Sequence, residues 1–331
     1  MSEMNQPKER IGILTSGGDA PGMNAAIRAV VRSSVYYGIT PFGIAQGYAG
    51  LINNEIFQMD AGSVKHIIHQ GGTILKSARS LEFKTEEGMQ KAWKNIQEQG
   101  LDGLVVVGGD GTFKGAMEFG EKFSFPIIGI PGTIDNDIYG TDFTVGFDTA
   151  LNTVVEAVDK IRDTATSHNR LFFIEVMGRD AGFIAMYSGI GAGAEEVLIP
   201  EKDRDIERLY ESLEQTSQRK KSSRLVIVAE GDKNGNVYDL EKEVQERFGD
   251  RYETKVTILG HVQRGGRPSC TDRVLASRLG VTAVEALRDG EKGMMVGVRN
   301  RKIKFTDFDN ATKRNPEMDK ELMRVADIIS I

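Results

Sequence analysis

Short apolar runs punctuate this chain at Ile11 to Leu14, Leu104 to Val107, Phe125 to Ile130, Leu171 to Val176, Leu225 to Ala229 and Val256 to Leu259. Each is too short for a helix and mostly apolar, as expected of a buried strand. The stretches between them carry helical spacing: Leu151, Val154, Val155, Val158 and Ile161 form one stripe. Ile27, Val30, Val31 and Val35 form another after Asn24, which predicts Asn24 as an N-cap. Alternation of this kind builds βαβ units, so the fold class is α/β with mainly parallel sheets. A chain of 331 residues is long enough for two domains. Near Gly146 the motif-bearing strand ends give way to one long helix, and a boundary is expected there.

Charge narrows the partners. The formal net charge is −6, with 40% hydrophobic and 27% charged residues. That balance is globular and argues against wholesale nucleic-acid binding, so an anionic ligand must be held by a local cluster of Arg and Lys. A single cysteine, Cys270, excludes an internal disulfide. The first ten residues lack an apolar core, and no segment approaches the roughly 20 apolar residues of a membrane span. The expectation is a soluble cytoplasmic protein with neither a nucleic-acid nor a membrane partner.

Two glycine loops follow strands. Thr15 to Asn24 holds Gly17, Gly18 and Gly22 between the first strand and first helix, and reads either as a phosphate cradle or as a tight turn. Gly108-Gly109-Asp110-Gly111-Thr112 repeats the arrangement with an acid inside the turn, so the pair suggests a Mg-nucleotide. No Gly-x-x-x-x-Gly-Lys-Ser/Thr is present. Gly189-x-Gly191-x-x-Ala194 follows a helix-like stretch, which removes the geometry that gives a dinucleotide fingerprint its meaning. In Pro131 to Ile138, Asp135 and Asp137 are two apart. On extended backbone both carboxylates would point one way, one as base and one in support; otherwise the segment is a polar turn whose Asp and Asn cap local N–H groups.

The segments TSGGDAPGMNAAIR, GGDGT, PGTIDNDI, EVMGRDAG and LGHVQRGG, in this order, resemble the bacterial-type ATP-dependent 6-phosphofructokinases over nearly the whole chain. GGDGT alone is shared with NAD kinases and lipid kinases, whereas PGTIDND with HVQRGG is specific to the family. The resemblance implies two Rossmann-like α/β/α domains: about 1–146 with 263–312 for MgATP, and about 147–262 with 313–331 for the sugar phosphate. It implies a homotetramer that transfers phosphoryl from MgATP to the 1-hydroxyl of fructose 6-phosphate, in glycolysis.

By motif match, Asp135 is the base, with Thr133, Arg79, Arg179 and Asp137 in the catalytic set. Gly18, Arg79, Ser80, Gly109, Asp110, Gly111, Thr112 and Gly115 would hold the nucleotide, Asp110 serving Mg²⁺. Thr133, Asp135, Met177, Gly178, Arg179, Glu230, His261 and Arg264 would hold the sugar phosphate, with Arg170 and Lys255 from a neighbouring subunit. Lys255 stands where the best-known members carry arginine, which leaves a point charge in place of a bidentate fork. Arg28, Arg32, Arg162, Glu195, Arg219 and Lys221 match an effector site for ADP and phosphoenolpyruvate. Glu55 stands where regulated members carry arginine, and a carboxylate repels phosphate.

Alternatives are a pyrophosphate-dependent phosphofructokinase or a non-catalytic regulatory paralogue. Pyrophosphate users typically carry Asp and Lys where this chain has Gly111 and Gly132, and a regulatory paralogue would have lost Asp135 or Asp110.

Overall fold

The computed structural model describes residues 9–165, 170–202, 206–218, 223–231 and 236–329, and the apolar runs become strands in two sheets. The strands are β1 (Arg10–Thr15), β2 (Thr40–Ile44), β3 (Ile56–Gln58), β4 (Gly103–Gly108), β5 (Ile127–Pro131), β6 (Arg170–Val176), β7 (Glu196–Leu198), β8 (Ser223–Ala229), β9 (Glu253–Ile258), β10 (Met294–Arg299) and β11 (Lys302–Asp307). The helices are α1 (Met23–Tyr36), α2 (Gly47–Ile52), α3 (Glu86–Gln99), α4 (Asp110–Phe123), α5 (Phe147–Ala165), α6 (Phe183–Ala192), α7 (Ile206–Gln218), α8 (Val237–Phe248), α9 (Cys270–Arg288), α10 (Phe308–Lys313) and α11 (Lys320–Ile329).

The chain divides into two compact units. One takes the described residues of Met1–Thr133, Ile138–Asp148 and Arg264–Pro316; the other takes those of Ile134–Asp137, Thr149–Gln263 and Glu317–Ile331. The first holds a sheet of order β11-β10-β5-β4-β1-β2-β3, parallel except where β3 and β11 run antiparallel at the edges. Leu104, Val105, Val106 and Val107 of β4 are fully buried, as a central parallel strand requires. The strand order reverses at β1, with β2 on one side and β4 on the other. Ligands of open α/β sheets bind in the crevice at such a switch, beyond the carboxyl ends of the strands.

The core of this unit reaches that crevice. Tyr48 and Phe83 stack at 4.1 Å, and the buried Tyr48 hydroxyl donates to the Thr112 carbonyl at 2.6 Å, fixing the first turn of α4. Burial pushes the Tyr48 phenol pKa up, so it remains a donor.

The second unit is an all-parallel sheet of order β7-β8-β6-β9. Val154 and Val158 of α5 are fully buried, as their spacing predicts. Gly189 lies on α6, where a Cβ would stand 2.4 Å from Val197; the glycine pattern there is a packing feature.

Two expectations for α1 are corrected. Its N-cap is Gly22, in the left-handed region at φ 107, and Asn24 lies inside the helix, buried. The Asn24 side chain donates to the carbonyls of Gln70 and Gly71 at 3.2 Å each and accepts from Ile74 N at 2.8 Å. It pins a loop and caps nothing, because a buried amide is satisfied best by backbone from elsewhere. The apolar stripe also stops short: Val35 is 44% exposed, while Ser33 and Ser34 are buried with hydroxyls bonded back to Ala29 and Val30.

Asn24→Ala removes three hydrogen bonds from one buried site and should cost ~1–3 kcal/mol. Thermal unfolding should show a clearly lowered Tm; an unchanged Tm would contradict this role.

Candidate active site

Three strand ends meet in the first unit. Ser16 N donates to Val107 O at 3.0 Å, the Thr112 hydroxyl donates to Ser16 O at 3.2 Å, and Gly132 N donates to Gly108 O at 3.0 Å. This closeness demands glycine, since a Cβ at Gly108 would stand 2.3 Å from the Thr112 hydroxyl and 2.5 Å from Ser16 O. Gly17 takes φ 83, open to glycine and strained for other residues. A Cβ at Gly109 would touch Thr133 at 3.7 Å, which places that hydroxyl-bearing residue beside the second loop.

The N-terminus of α4 opens here with Asp110, Gly111 and Thr112, the positive end of a helix dipole. A Cβ at Gly111 would meet nothing within 4 Å, so the space before it is open. Asp110 is one-third exposed and pairs with Lys114 at 2.7 Å. Among the described residues no group of three or more His, Cys, Asp or Glu is placed to hold a metal. The single Asp110 carboxylate nevertheless fits Mg²⁺, which binds through one or two carboxylates plus phosphate and water.

The remaining nucleotide candidates lie around these loops. The Thr15 hydroxyl donates to Lys76 O at 2.8 Å and anchors the segment that leads to Arg79, which is exposed. Ser80 Oγ accepts from Phe83 N at 3.1 Å. Gly115 faces Tyr48 and Phe83 one turn into α4, a close-packing position. Arg264 lies against the first glycine loop: its Nη1 stands 2.6 Å from where a Gly18 Cβ would be and reaches Asp19 O at 3.5 Å.

In the second unit, the residues after β6 and β8 build a braced turn. Glu230 Oε1 accepts from Gly178 N at 3.2 Å and from Arg179 N at 2.8 Å. Both donors have positive φ, 147 and 55, so the carboxylate holds a turn that Arg179 would not adopt unaided. A Cβ at Gly231 would stand 1.8 Å from Arg179 O, so glycine is obligatory there too. Gln263 is fully buried; its Oε1 accepts from Met177 N at 3.2 Å and its Nε2 donates to Gly260 O at 3.0 Å. His261, two residues earlier, is exposed. Burial, and then the neighbouring Glu230, push the Glu175 carboxyl above its ordinary range.

Asp135 is 2% exposed, and Asp137 lies 3.8 Å from the Arg179 guanidinium. The expectation that both carboxylates share one side of extended backbone is overturned: Asn136 between them is left-handed at φ 53, which breaks the two-residue alternation. Asp135 turns inward and Asp137 remains partly exposed.

Arg170 and Lys255 sit elsewhere. Arg170 opens β6 and pairs with Glu253 at 3.0 Å; Lys255 on β9 pairs with the same carboxylate at 3.0 Å. The two cations hold the Glu253 carboxyl down to about 2. Met177 follows the other end of the same strand, so at about 3.3 Å per residue Arg170 lies roughly 23 Å from it.

Of the effector candidates, Arg28 and Arg32 lie one turn apart on α1, half-buried and exposed. Partial burial, and then Arg32, lower the Arg28 guanidinium pKa. Arg162 donates to the carbonyls of Ala192 and Gly193, closing the end of α6, and the buried Glu195 accepts from Leu225 N at 2.6 Å. Arg219 and Lys221 lie outside the described residues. Glu55 is held by Gln46 Nε2, at 3.1 and 2.8 Å to its two oxygens. Reading the sequence missed Gln263, Glu253 and Gly231; Gln263 lay in view inside HVQRGG, and Glu253 and Lys255 are two apart on one strand.

Glycine loops at a topological switch, one of them opening a helix, define a phosphate-binding class of site in the first unit. The chain belongs to the phosphofructokinase family, whose profile matches residues 10–287. It is 54% identical over 323 residues to the ATP-dependent 6-phosphofructokinase of Halalkalibacterium halodurans, covering 98% of this chain and 100% of that one. It is 50% identical over 323 residues to ATP-dependent 6-phosphofructokinase 1 of Thermus thermophilus, with the same coverage. The solved phosphofructokinase of Saccharomyces cerevisiae superposes with a TM-score of 0.87 at 36% identity over 97% of this chain, which spans 50% of that longer one. No helix among the described residues is long and apolar enough to cross a membrane.

Glu253 should stay ionised down to about pH 2 in a carboxyl-resolved NMR titration. Arg170→Ala should raise its midpoint toward the usual carboxylate range; an unmoved midpoint would show that the pair does not form.

Proposed function

We infer that the chain transfers the terminal phosphoryl group of MgATP to the 1-hydroxyl of fructose 6-phosphate, giving fructose 1,6-bisphosphate and ADP, the family's glycolytic step. The observation that carries this is the meeting of the Ser16, Gly108 and Gly132 strand ends, with Thr133 beside the second loop and Asp135 two residues further along the chain. The chain's match to ATP-dependent relatives over its length supports the same donor.

Phosphoryl transfer needs mainly positioning and charge neutralisation. The first unit would serve the nucleotide: backbone N–H groups at the start of α4 and the Gly17-Gly18 turn face its phosphates, and Arg79 supplies charge. Asp110 would hold Mg²⁺, which neutralises phosphate charge when bound. Thr133 would bond the transferring group, and Asp135 would take the proton from the sugar hydroxyl. Met177, Gly178, Arg179, Glu230, His261 and Arg264 would orient the sugar phosphate. Arg170 and Lys255 would serve the site of a second copy, a role supported by the distance of Arg170 along β6 from Met177. We assign a homotetramer in the cytoplasm, in keeping with the glycolytic reaction.

The open space before Gly111 leaves room for a nucleotide that an Asp side chain there would obstruct. A Cβ at Gly132 would stand 2.9 Å from Val107, so the Lys of pyrophosphate users would need the core to shift. Both features favour ATP over pyrophosphate. Retention of Asp135 and Asp110 favours catalysis over a purely regulatory role. For ADP and phosphoenolpyruvate, Arg28 and Arg32 form a cationic pair, while Glu55 opposes an anion; we propose that effector responses are weak.

Asp135→Asn should lower kcat by about 10²–10⁴-fold while leaving fructose 6-phosphate binding largely intact. Near-normal kcat at saturating substrates would remove Asp135 from the role of base.

A further inference from the structure

The hairpin joining β10 and β11 turns at Asn300 and Arg301, both left-handed at φ 51 and 65. This is the geometry of a two-residue hairpin whose second position is unstrained with glycine, and this chain places arginine there. Arg299, Arg301, Lys302 and Lys304 put four cations into six residues of a chain whose net charge is −6. Arg299 pairs across the ladder with Lys302, and Gly297 with Lys304, so Arg299, Lys302 and Lys304 share one face. All four cations are exposed. Like charges placed directly opposite repel one another unless an anion lies between them.

Further cations join them. Arg278 donates to the Arg301 carbonyl at 3.2 Å. Arg314 donates to the Tyr139 hydroxyl at 3.3 Å with its guanidinium 5.3 Å over the ring. Arg314, and then Arg299, pull the Tyr139 phenol below its ordinary range. Among the described residues, none of these cations is in an ion pair.

Aromatic rings flank the ribbon. Thr141 Oγ1 accepts from Val298 N at 3.1 Å and donates to Phe143 O at 2.8 Å, and Asp142 accepts from Asn300 N at 2.7 Å. These bonds lay the segment from Tyr139 to Phe143 along the hairpin, and Phe143 is 43% exposed. Lysines on an edge strand also guard against edge pairing, which accounts for Lys302 and Lys304. It does not account for Arg299 on the inner strand, for Arg301 at a strained tip or for Arg314 held over a ring.

We propose that this hairpin binds single-stranded nucleic acid, the cations holding successive phosphates and Tyr139 and Phe143 stacking on bases. A net charge of −6 rules out binding over the whole surface and leaves such a local cluster as the route. A bilayer surface would call for several apolar anchors, and this segment offers one exposed phenylalanine.

The test uses the full chain and a fluorescently labelled oligouridylate, followed by anisotropy across a salt series. With four to five phosphates engaged, log K should fall with log salt at a slope of about −3, and Kd at physiological salt should lie at about 10⁻⁴–10⁻⁶ M. Arg301→Gly combined with Lys302→Ser keeps the turn, and should weaken binding at least tenfold and reduce the slope by about 1.4. Phe143→Ala should weaken binding without changing the slope, and sugar-phosphate kinase activity should stay at wild-type level in all variants. No saturable binding, or a slope unchanged by the double substitution, overturns the proposal. So does displacement by MgATP, which would place the oligonucleotide in the nucleotide site. Binding no tighter than that of inorganic polyphosphate, or preference for phosphatidylserine vesicles, overturns it as well.

Discussion

The loops after β1 and β4 come together because no side chain stands between them. A Cβ at Gly108 would lie 2.5 Å from Ser16 O, and in its place the Thr112 hydroxyl bonds that carbonyl. Once β4 is seated against β1, the amide of Gly132 at the end of β5 reaches Gly108 O, and Thr133 is placed at the mouth of the crevice. Tyr48 locks the arrangement from beneath through the Thr112 carbonyl. The start of α4, the open space before Gly111 and the chain's path onward to Asp135 all follow from this contact.

The second unit rests on a different constraint, backbone held in conformations its residues do not favour. Arg179 and Gly178 are turned by the Glu230 carboxylate, Gly231 leaves room for the Arg179 carbonyl, and buried Gln263 ties Met177 to the following turn. Strand β6 then works as a ruler. Its carboxyl end carries this braced turn, and its amino end carries Arg170, which shares the single Glu253 carboxylate with Lys255 of the neighbouring β9. We propose that these residues at opposite ends of one rigid strand serve two different sites, which links the catalytic proposal to assembly.

Apolar runs named six of the strands; five are buried as expected, because parallel strands covered on both faces are apolar in sequence as well as in place, whereas β9 is an edge strand with Ile258 exposed. The strand β10 is an apolar run that fits the same rule, whereas β2, β3, β7 and β11 escaped for physical reasons. Thr40–Ile44 contains Pro41 and Gly43, β3 and β7 have three residues each, and β11 alternates Lys-Ile-Lys-Phe because it is an edge. Glycine loops were legible, since glycine before a helix has few uses. Their mutual contact was not, because it depends on β1 and β4 being neighbours. Asn24 looked like a cap by its position, yet its amide satisfies a loop more than forty residues away, which local sequence does not encode. Asp135 and Asp137 parted because Asn136 tolerates the left-handed region, a freedom that extended-chain spacing ignores. Glu253 was overlooked since its partner Arg170 lies on another strand.

We propose that a complete site takes Asp135 from one chain and Arg170 from another. It is tested most directly by co-assembling two chains, Asp135→Asn and Arg170→Ala, each nearly inactive alone, and assaying fructose 6-phosphate-dependent ADP formation. Mixed oligomers should regain activity, because some sites then contain both intact residues. Hybrids verified by mass that remain as inactive as their parents would contradict it.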